Sequence, residues 1–272
     1  MNGNNLVIVR GGGDLATGTI ARLRQCGFPV VVLEVPAPSA IRRTVAFCEA
    51  VYTGAQTVEG MTCRRAGTPD AARAMLAQGE LPLLVDPEGA SIAALRPMAV
   101  VDAILAKKNL GTRRQMAPIT VALGPGFTAG QDVDAVVETM RGHDLGRVIY
   151  AGAARPNTGV PGLIGGYGAE RVIHSPAAGT LRAVRRIGDA VEQGEPIAFV
   201  GGTPVPATLT GLLRGLIRDG YPVTEGLKIA DIDPRAGEAK NCFTISDKAR
   251  AIGGGVLEGL LYFRRKNGGN MI

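Results

Sequence analysis

The sequence predicts an α/β unit with a parallel sheet, followed by a small all-β module. Two observations predict it. Over roughly the first 150 residues, short apolar runs alternate with amphipathic stretches, the pattern of strands joined by crossover helices. Further on, a twenty-residue segment starting at Gly179 returns without a gap at Gly211, an offset of 32 residues. Self-similarity of that kind marks one supersecondary unit used twice.

Residues 6–9, LVIV, form the first buried strand. Residues 15–26 follow as a helix, with Ala16, Ile20 and Leu23 on one face and Gly27 at its end. The β-branched run 30–33 is strand two. A helical stretch at 70–78 precedes a strand at 81–85, and 99–105 and 119–123 are further strands. Asp132 is placed to cap a helix with Val133, Val136, Val137 and Met140 on its apolar face. Residues 147–150 close the series as a strand. Crossovers between parallel strands are right-handed.

Between the first strand and its helix lies GGGDLATGT. Gly11-x-Gly13-x-x-Ala16 matches the dinucleotide fingerprint, with alanine at its third small position. Gly11 allows the tight turn, Gly13 lets a phosphate approach the backbone, and Ala16 lets helix and sheet pack closely. Glu34 ends strand two, where an acid meets a ribose hydroxyl. This context makes the sheet Rossmann-like. Two details resist an ordinary NAD site. Asp14 lies inside the turn, where it repels a pyrophosphate unless it caps the helix or holds a cation. The run also lacks the lysine of a Walker loop, so an ATPase is not supported. A phosphate-bearing ligand, a nucleotide among them, and a plain strand-to-helix turn both stay open. The candidate binding residues are Gly11, Gly12, Gly13, Asp14, Thr17, Gly18 and Glu34, with Arg42, Arg43 and Lys107 supplying positive charge. Asp86, Glu88, Lys108, Asn109 and the glycine-rich run 124–130 are expected at the same sheet edge, where open α/β sheets bind ligands.

Composition narrows the classes. Hydrophobic residues make up 46% of the chain, enough for a core, and no apolar run reaches the roughly 18 residues of a membrane span. The start lacks signal-peptide character, and Cys26, Cys48, Cys63 and Cys242 have no metal-binding spacing. The expectation is a cytoplasmic chain with free thiols and no membrane partner. With two histidines, His143 and His174, a histidine-rich metal site is excluded. The net charge is +6, yet aromatics are 4% and tryptophan is absent, so the stacking platforms of nucleic-acid binders are missing. A small phosphate-bearing ligand or an acidic protein partner fits better, and a homo-oligomer is compatible. No G-x-S-x-G nucleophile occurs, and Cys48, between Phe47 and Val51, is expected to be packed rather than reactive.

In the repeat, GTLRAVRRIGDAVEQGEPIA and GLLRGLIRDGYPVTEGLKIA are identical at nine of twenty positions. The pattern resembles the biotinyl/lipoyl-type barrel-sandwich hybrid, whose two halves interlock about a pseudo-twofold axis. That family attaches its cofactor to a lysine in the hairpin between the halves. Here the connection 200–207 has no lysine and Lys228 lies outside it, so no covalent biotin or lipoate is expected. Residues 246–264 form a last amphipathic helix carrying Gly253, Gly254 and Gly255, at a propensity cost of roughly 1 kcal/mol each. Such a helix packs very close to another backbone, or bends there. The expected organisation is 1–168 α/β, 169–236 hybrid, and 237–272 a helix returning to the α/β body.

The runs VIVRGGGDLATGTIARL, AIRRTVAFCEAVYTG, DAILAKKNLGT, VALGPGFTAGQDV, ETMRGHDLGRVIY and NTGVPG resemble the YqeB family, in order and over nearly the whole chain. The resemblance implies an accessory factor for bacterial selenium-dependent molybdenum hydroxylases. It implies action on a xanthine-dehydrogenase-like enzyme or on that enzyme's labile selenium-containing molybdenum cofactor; the expectation set beside it is that the turn at Gly11–Gly18 binds a nucleotide or a molybdopterin-type phosphate ligand. More distantly, the chain is similar to the XdhC group of molybdenum-cofactor sulfuration chaperones. The resemblance implies no catalytic residues. Two alternatives stand beside it: an NAD(P)-dependent oxidoreductase, and a protein-binding scaffold without a small ligand.

Overall fold

The structure, a computed structural model, describes residues 5–268. Its contacts divide the chain into two units, residues 1–38, 46–157 and 245–272 in the first and residues 39–45 and 158–244 in the second. These limits differ from those expected at 168 and 236.

The first unit is built on a nine-stranded sheet. The chain runs β1 (Val7–Arg10), α1 (Asp14–Gln25), β2 (Val30–Glu34), α2 (Ala50–Thr53), β3 (Ala55–Val58), β4 (Met61–Ala66), α3 (Pro69–Ala77), β5 (Leu81–Val85), α4 (Ser91–Leu95) and β6 (Ala99–Asp102). It continues through β7 (Ile119–Leu123), β8 (Thr128–Ala129), β9 (Ala135–Val137), β10 (Val148–Ile149) and β11 (Gly152–Ala153), and ends in α5 (Asp247–Lys266). The sheet order is β10-β9-β7-β6-β1-β2-β5-β4-β3. The seven inner strands are parallel, whereas β3 and β10 close the two ends antiparallel. Val7, Ile8 and Val9 of β1 and Val30, Val31 and Val32 of β2 are fully buried, as strands covered on both faces must be. The strand order reverses between β1 and β6, so the carboxyl ends of these two strands frame a switch point.

Local chemistry sets the helix starts. Thr68 caps α3 by accepting the Ala71 amide, with Pro69 in the first helical position, and Ser246 caps α5 by accepting the amide of Ala249. The glycines of α5 serve contact. A Cβ on Gly253 would stand 2.8 Å from the Gly18 carbonyl oxygen of α1, and one on Gly255 would overlap the carbonyl of Gly146. Gly254 meets nothing within 4 Å.

Residues 133–140 are not a helix. Ala135–Val137 is strand β9, paired parallel with β7. A three-residue buried apolar run satisfies either period, and here the sheet wins. Asp132 caps no helix: its carboxylate accepts the Thr128 amide.

The second unit holds β12 (Val172–His174), β13 (Gly179–Ala183), β14 (Ala190–Val191), β15 (Pro196–Val200), β16 (Thr203–Pro206), β17 (Gly211–Leu216), β18 (Pro222–Val223) and β19 (Lys228–Asp233). They form two four-stranded sheets, β12-β19-β17-β14 and β16-β15-β13-β18. The repeat is visible in them, because β13, β14 and β15 recur as β17, β18 and β19. The copies exchange their middle strands, β14 pairing with β17 and β18 with β13. One core therefore takes Leu181, Val191 and Ile197 from one copy and Leu213, Val223 and Ile229 from the other.

The fold class expected from the sequence, a Rossmann-like parallel sheet plus a biotinyl/lipoyl-like hybrid, is corrected on these observations. The large sheet is mixed, and the links from β6 to β7 and from β7 to β9 contain no α-helix where a doubly wound fold places one. The small unit adds β12 and β16 outside the repeat and takes in residues 39–45.

Candidate functional site

The carboxyl ends of β1, β2 and β6 bring together most of the chemistry of the first unit. β1 leads into the glycine run, and two of those glycines are required by close packing. Gly11 has φ +98°, and a Cβ there would lie 2.8 Å from the Ala103 carbonyl oxygen. A Cβ on Gly12 would lie 2.9 Å from the Cys48 nitrogen. Gly12 is tied on both sides, its carbonyl accepting the Cys48 amide at 2.9 Å and its amide donating to Glu34 Oε1 at 2.9 Å. Thr17 is buried and bridges the same region, donating to the Gly12 carbonyl and accepting the Phe47 amide. Gly18 meets Ala249 of α5.

Gly13 differs. Its φ of −64° suits any residue, and a Cβ on it would meet nothing within 4 Å. It is the N-cap of α1 and, being glycine, offers no side chain to cap that end. The first turn of α1 thus starts beside open space at the switch point, with its dipole favouring an anion. Asp14 is the first helical residue rather than the cap, and its carboxylate opposes that field.

The acids are largely turned inward. Glu34 accepts the amides of Gly12 and Val35, and burial raises its pKa against those two hydrogen bonds. It is therefore not disposed to receive a ribose hydroxyl, and the Gly12 amide is not disposed to receive a pyrophosphate. On that ground the expected nucleotide site, and with it the NAD(P)-oxidoreductase alternative, is withdrawn. Cys48 is 1% exposed, and its thiol is held well above its ordinary pKa by burial and by the carboxylates of Glu34, Glu49 and Asp14. It is a packed thiol and not a nucleophile.

The remaining predicted residues are dispersed. Arg42 and Arg43 belong to the second unit, where Arg42 donates to the carbonyls of Asn241 and Thr244 and Arg43 to that of Leu216. Lys107 is exposed on the loop after β6, at φ +62°. The same loop lies against the next one: a Cβ on Gly126 would stand 2.7 Å from the Lys108 Cα. Asp86 caps α4, accepting the amides of Ala90 and Ser91 and the Ser91 hydroxyl.

A buried relay at this edge was missed. The Thr112 hydroxyl donates to Asp102 Oδ2 at 2.5 Å and accepts from Arg10 at 2.6 Å, while Arg10 also donates to the Pro87 carbonyl. Burial raises the Asp102 pKa, opposed by Thr112, the Ile104 amide and Arg10. The available signal was a charged residue ending each of two apolar strands, and these two residues are register partners, Arg10↔Asp102. Among the described residues no group of three or more His, Cys, Asp or Glu is placed to hold a metal, and no helix is long and apolar enough to cross a membrane.

No family model matches the chain. Over 260 residues it is 54% identical to YqeB of Escherichia coli (strain K12), described as an uncharacterized protein. Over that shared region, the chain belongs to the YqeB family. The alignment covers 96% of this chain and 48% of YqeB, so the chain spans about half the length of that curated relative. Among solved structures it matches an aspartoacylase family protein from Mesorhizobium loti, at 14% identity over 86% of this chain and 87% of that one, with a TM-score of 0.30. A succinylglutamate desuccinylase/aspartoacylase from Rhodobacter sphaeroides matches at 14% identity over 85% and 86%, with a TM-score of 0.28. The ectoine utilization protein EutE (DoeB) from Ruegeria pomeroyi matches at 12% identity over 84% and 57%, with a TM-score of 0.23. At these scores they carry no activity or substrate to this chain.

Proposed function

We propose that this YqeB-family chain is an accessory factor in the maturation of a selenium-dependent molybdenum hydroxylase. It holds a phosphate-bearing, molybdopterin-type ligand at the start of α1. The pathway and the client enzyme come from the family resemblance. The single observation that carries the ligand reading is Gly13, the one glycine of the 11–13 run that packing does not require, placed at an uncapped helix start. Serine, aspartate or asparagine caps a helix at least as well as glycine. A glycine there leaves the first-turn amides to a ligand. Cys48, buried as a thiol, takes no part in handling selenium.

The test is Gly13→Ser. Serine fits the observed φ and ψ, and its hydroxyl competes for the Leu15 or Ala16 amide that the ligand needs. In equilibrium dialysis with molybdopterin, the wild type binds and Gly13→Ser does not, while thermal stability is unchanged or raised. Absence of binding by the wild type, or undiminished binding by the variant, overturns the reading. The scaffold alternative draws support from Gly11, Gly12 and Gly18, all of which packing explains. It predicts that Gly13→Ser leaves the cellular maturation of the hydroxylase intact.

A further inference from the structure

The two copies of the repeat in the second unit carry matching faces, and the chain closes only one of them. The offset of 32 residues sets Thr180, Arg182, Phe199 and Gly201 of the first copy against Leu212, Arg214, Asp231 and Asp233 of the second. In the second copy Leu212, Asp231 and Asp233 are buried. The Arg214 guanidinium lies 3.8 Å from the Asp231 carboxylate, which Arg171 also pairs at 2.7 Å. The cover is polypeptide of the same unit. A Cβ on Gly215, the register partner of Asp231, would stand 3.1 Å from the Ile41 carbonyl oxygen. The Leu216 amide donates to that carbonyl at 2.8 Å, Arg43 donates to the Leu216 carbonyl at 2.7 Å, and residues 236–242 pack against β17. In the first copy Thr180, Arg182 and Gly201 are exposed. Phe199 stands where the second copy has Asp231, and Arg182 pairs with no carboxylate among the described residues. Its guanidinium carbon lies over the Phe199 ring instead, 4.9 Å from the centroid. Thr180, Arg182, Phe199, Gly201 and Gly202 line a depression of about 610 Å³ there.

We propose that the open face docks an acidic polypeptide segment of a partner protein, one that carries an aspartate or glutamate beside an apolar side chain. Internal symmetry supplies the kind of occupant, because polypeptide closes the matching face of the second copy. Charge supplies its chemistry. In the second copy the arginine of this face is answered by an aspartate. In the first copy that aspartate is missing, and residues 179–187 carry Arg182, Arg185 and Arg186 and no acid. Arg185 is paired with Glu195, so Arg182 is the cation that a visiting carboxylate meets. A guanidinium stacked on an aromatic ring keeps its N–H fork for bidentate contact with a carboxylate, and the stack orders the side chain before binding. The Phe199 ring and the depression beside it take the apolar side chain. Arginine with an aromatic residue is the pairing that most often dominates the energy of an interface. The face is small and wet, so the contact suits a short segment and weakens as salt screens it.

Short random peptides displayed on phage are selected on the immobilised full chain, and an enriched peptide is then synthesised. Its affinity is read by fluorescence anisotropy at about 50 mM and about 500 mM salt, where the screening length changes severalfold. The expected result is enrichment of peptides with Asp or Glu next to an apolar residue, and binding that weakens at the higher salt. Arg182→Glu loses about tenfold or more in affinity, and a peptide with lysine in place of its acid recovers binding to that variant. Arg113→Glu makes the same charge change at an exposed position of the first unit and leaves the affinity within about twofold. Both substitutions are at exposed positions, and circular dichroism of each variant confirms the fold. No enrichment, enrichment of peptides without an acid, an affinity that Arg182→Glu leaves unchanged, or one that Arg113→Glu lowers equally overturns the proposal. Binding of oligouridylate in place of acidic peptides, lost in Arg182→Glu, overturns it in favour of a nucleic acid.

Discussion

Replacing Gly18 by alanine tests the contact that seats α5 on α1. The added Cβ would stand 2.6 Å from the Ala249 Cβ and 2.7 Å from the Ala249 carbonyl oxygen. Carbon atoms in good contact sit about 3.5–4.0 Å apart, so the two helices must part by about 1 Å. No rotamer relieves the clash, since alanine has none and the opposing groups are a Cβ and backbone. Overpacking of this kind costs about 1–3 kcal/mol, and the better helix propensity of alanine returns about 1 kcal/mol. The expected net loss is about 1–2 kcal/mol. Gly254→Ala is the internal control, because its Cβ meets nothing within 4 Å and it gains about 0.5–1 kcal/mol. The assay is urea denaturation followed by helical circular dichroism, dominated by α5 with 20 residues and α1 with 12. A Gly18→Ala protein as stable as the wild type, or two variants shifting in the same direction, refutes the reasoning.

Three further outcomes follow from the same structure. In the native protein only Cys26 reacts readily with a thiol reagent. Cys48 and Cys63 are buried, and burial pushes the Cys63 thiol up to about 12; Cys242 is enclosed as well. Rapid native labelling of Cys48 would contradict this, and full labelling in denaturant supplies the reference. Asp86→Ala removes the α4 cap and costs about 1–2 kcal/mol at neutral pH. Burial raises the Asp86 pKa, but the Ser91 hydroxyl and the amides of Ser91, Ala90 and Gly89 outweigh it, and the net shift is downward. A depressed carboxyl contributes stability above its unfolded value and loses it as pH falls through the folded value. The gap between wild type and variant therefore narrows below about pH 3.8, and a gap that widens there is the contrary result. Thr112→Val strands Arg10 and Asp102 without their shared hydroxyl and lowers stability by about 2–4 kcal/mol in chemical denaturation, whereas an effect under 0.5 kcal/mol would show that the relay is dispensable.

Much of the first unit was legible because its signals are local. The runs at β1, β2, β5 and β7 are short and apolar, α1 has a clean face, and the repeat announces the strand exchange of the second unit. The hairpin β3–β4 went unseen because its strands, with exposed Thr57, Arg64 and Arg65, lack a continuous apolar run. The partition of glycines was beyond the sequence. Gly11, Gly12 and Gly13 look alike in one dimension, yet Ala103 and Cys48, distant in sequence, decide which are needed for packing. Glu34 shows the same limit: its spacing fits a ribose contact, but side-chain direction is set by the Gly12 amide. Arg42 and Arg43 follow β2 closely in sequence, and the chain commits them to carbonyls of the second unit.

The central claim is that the open start of α1 holds an anionic ligand. Calorimetric titration of molybdopterin into the wild type, Gly13→Ser and Asp14→Asn tests it most directly. Removing the Asp14 charge beside a bound phosphate strengthens binding by about 0.3–1 kcal/mol, roughly two- to fivefold. The account predicts the affinity order Asp14→Asn above wild type above Gly13→Ser, with the last showing no measurable heat. Equal affinities in all three, or no binding by Asp14→Asn and wild type alike, would contradict it.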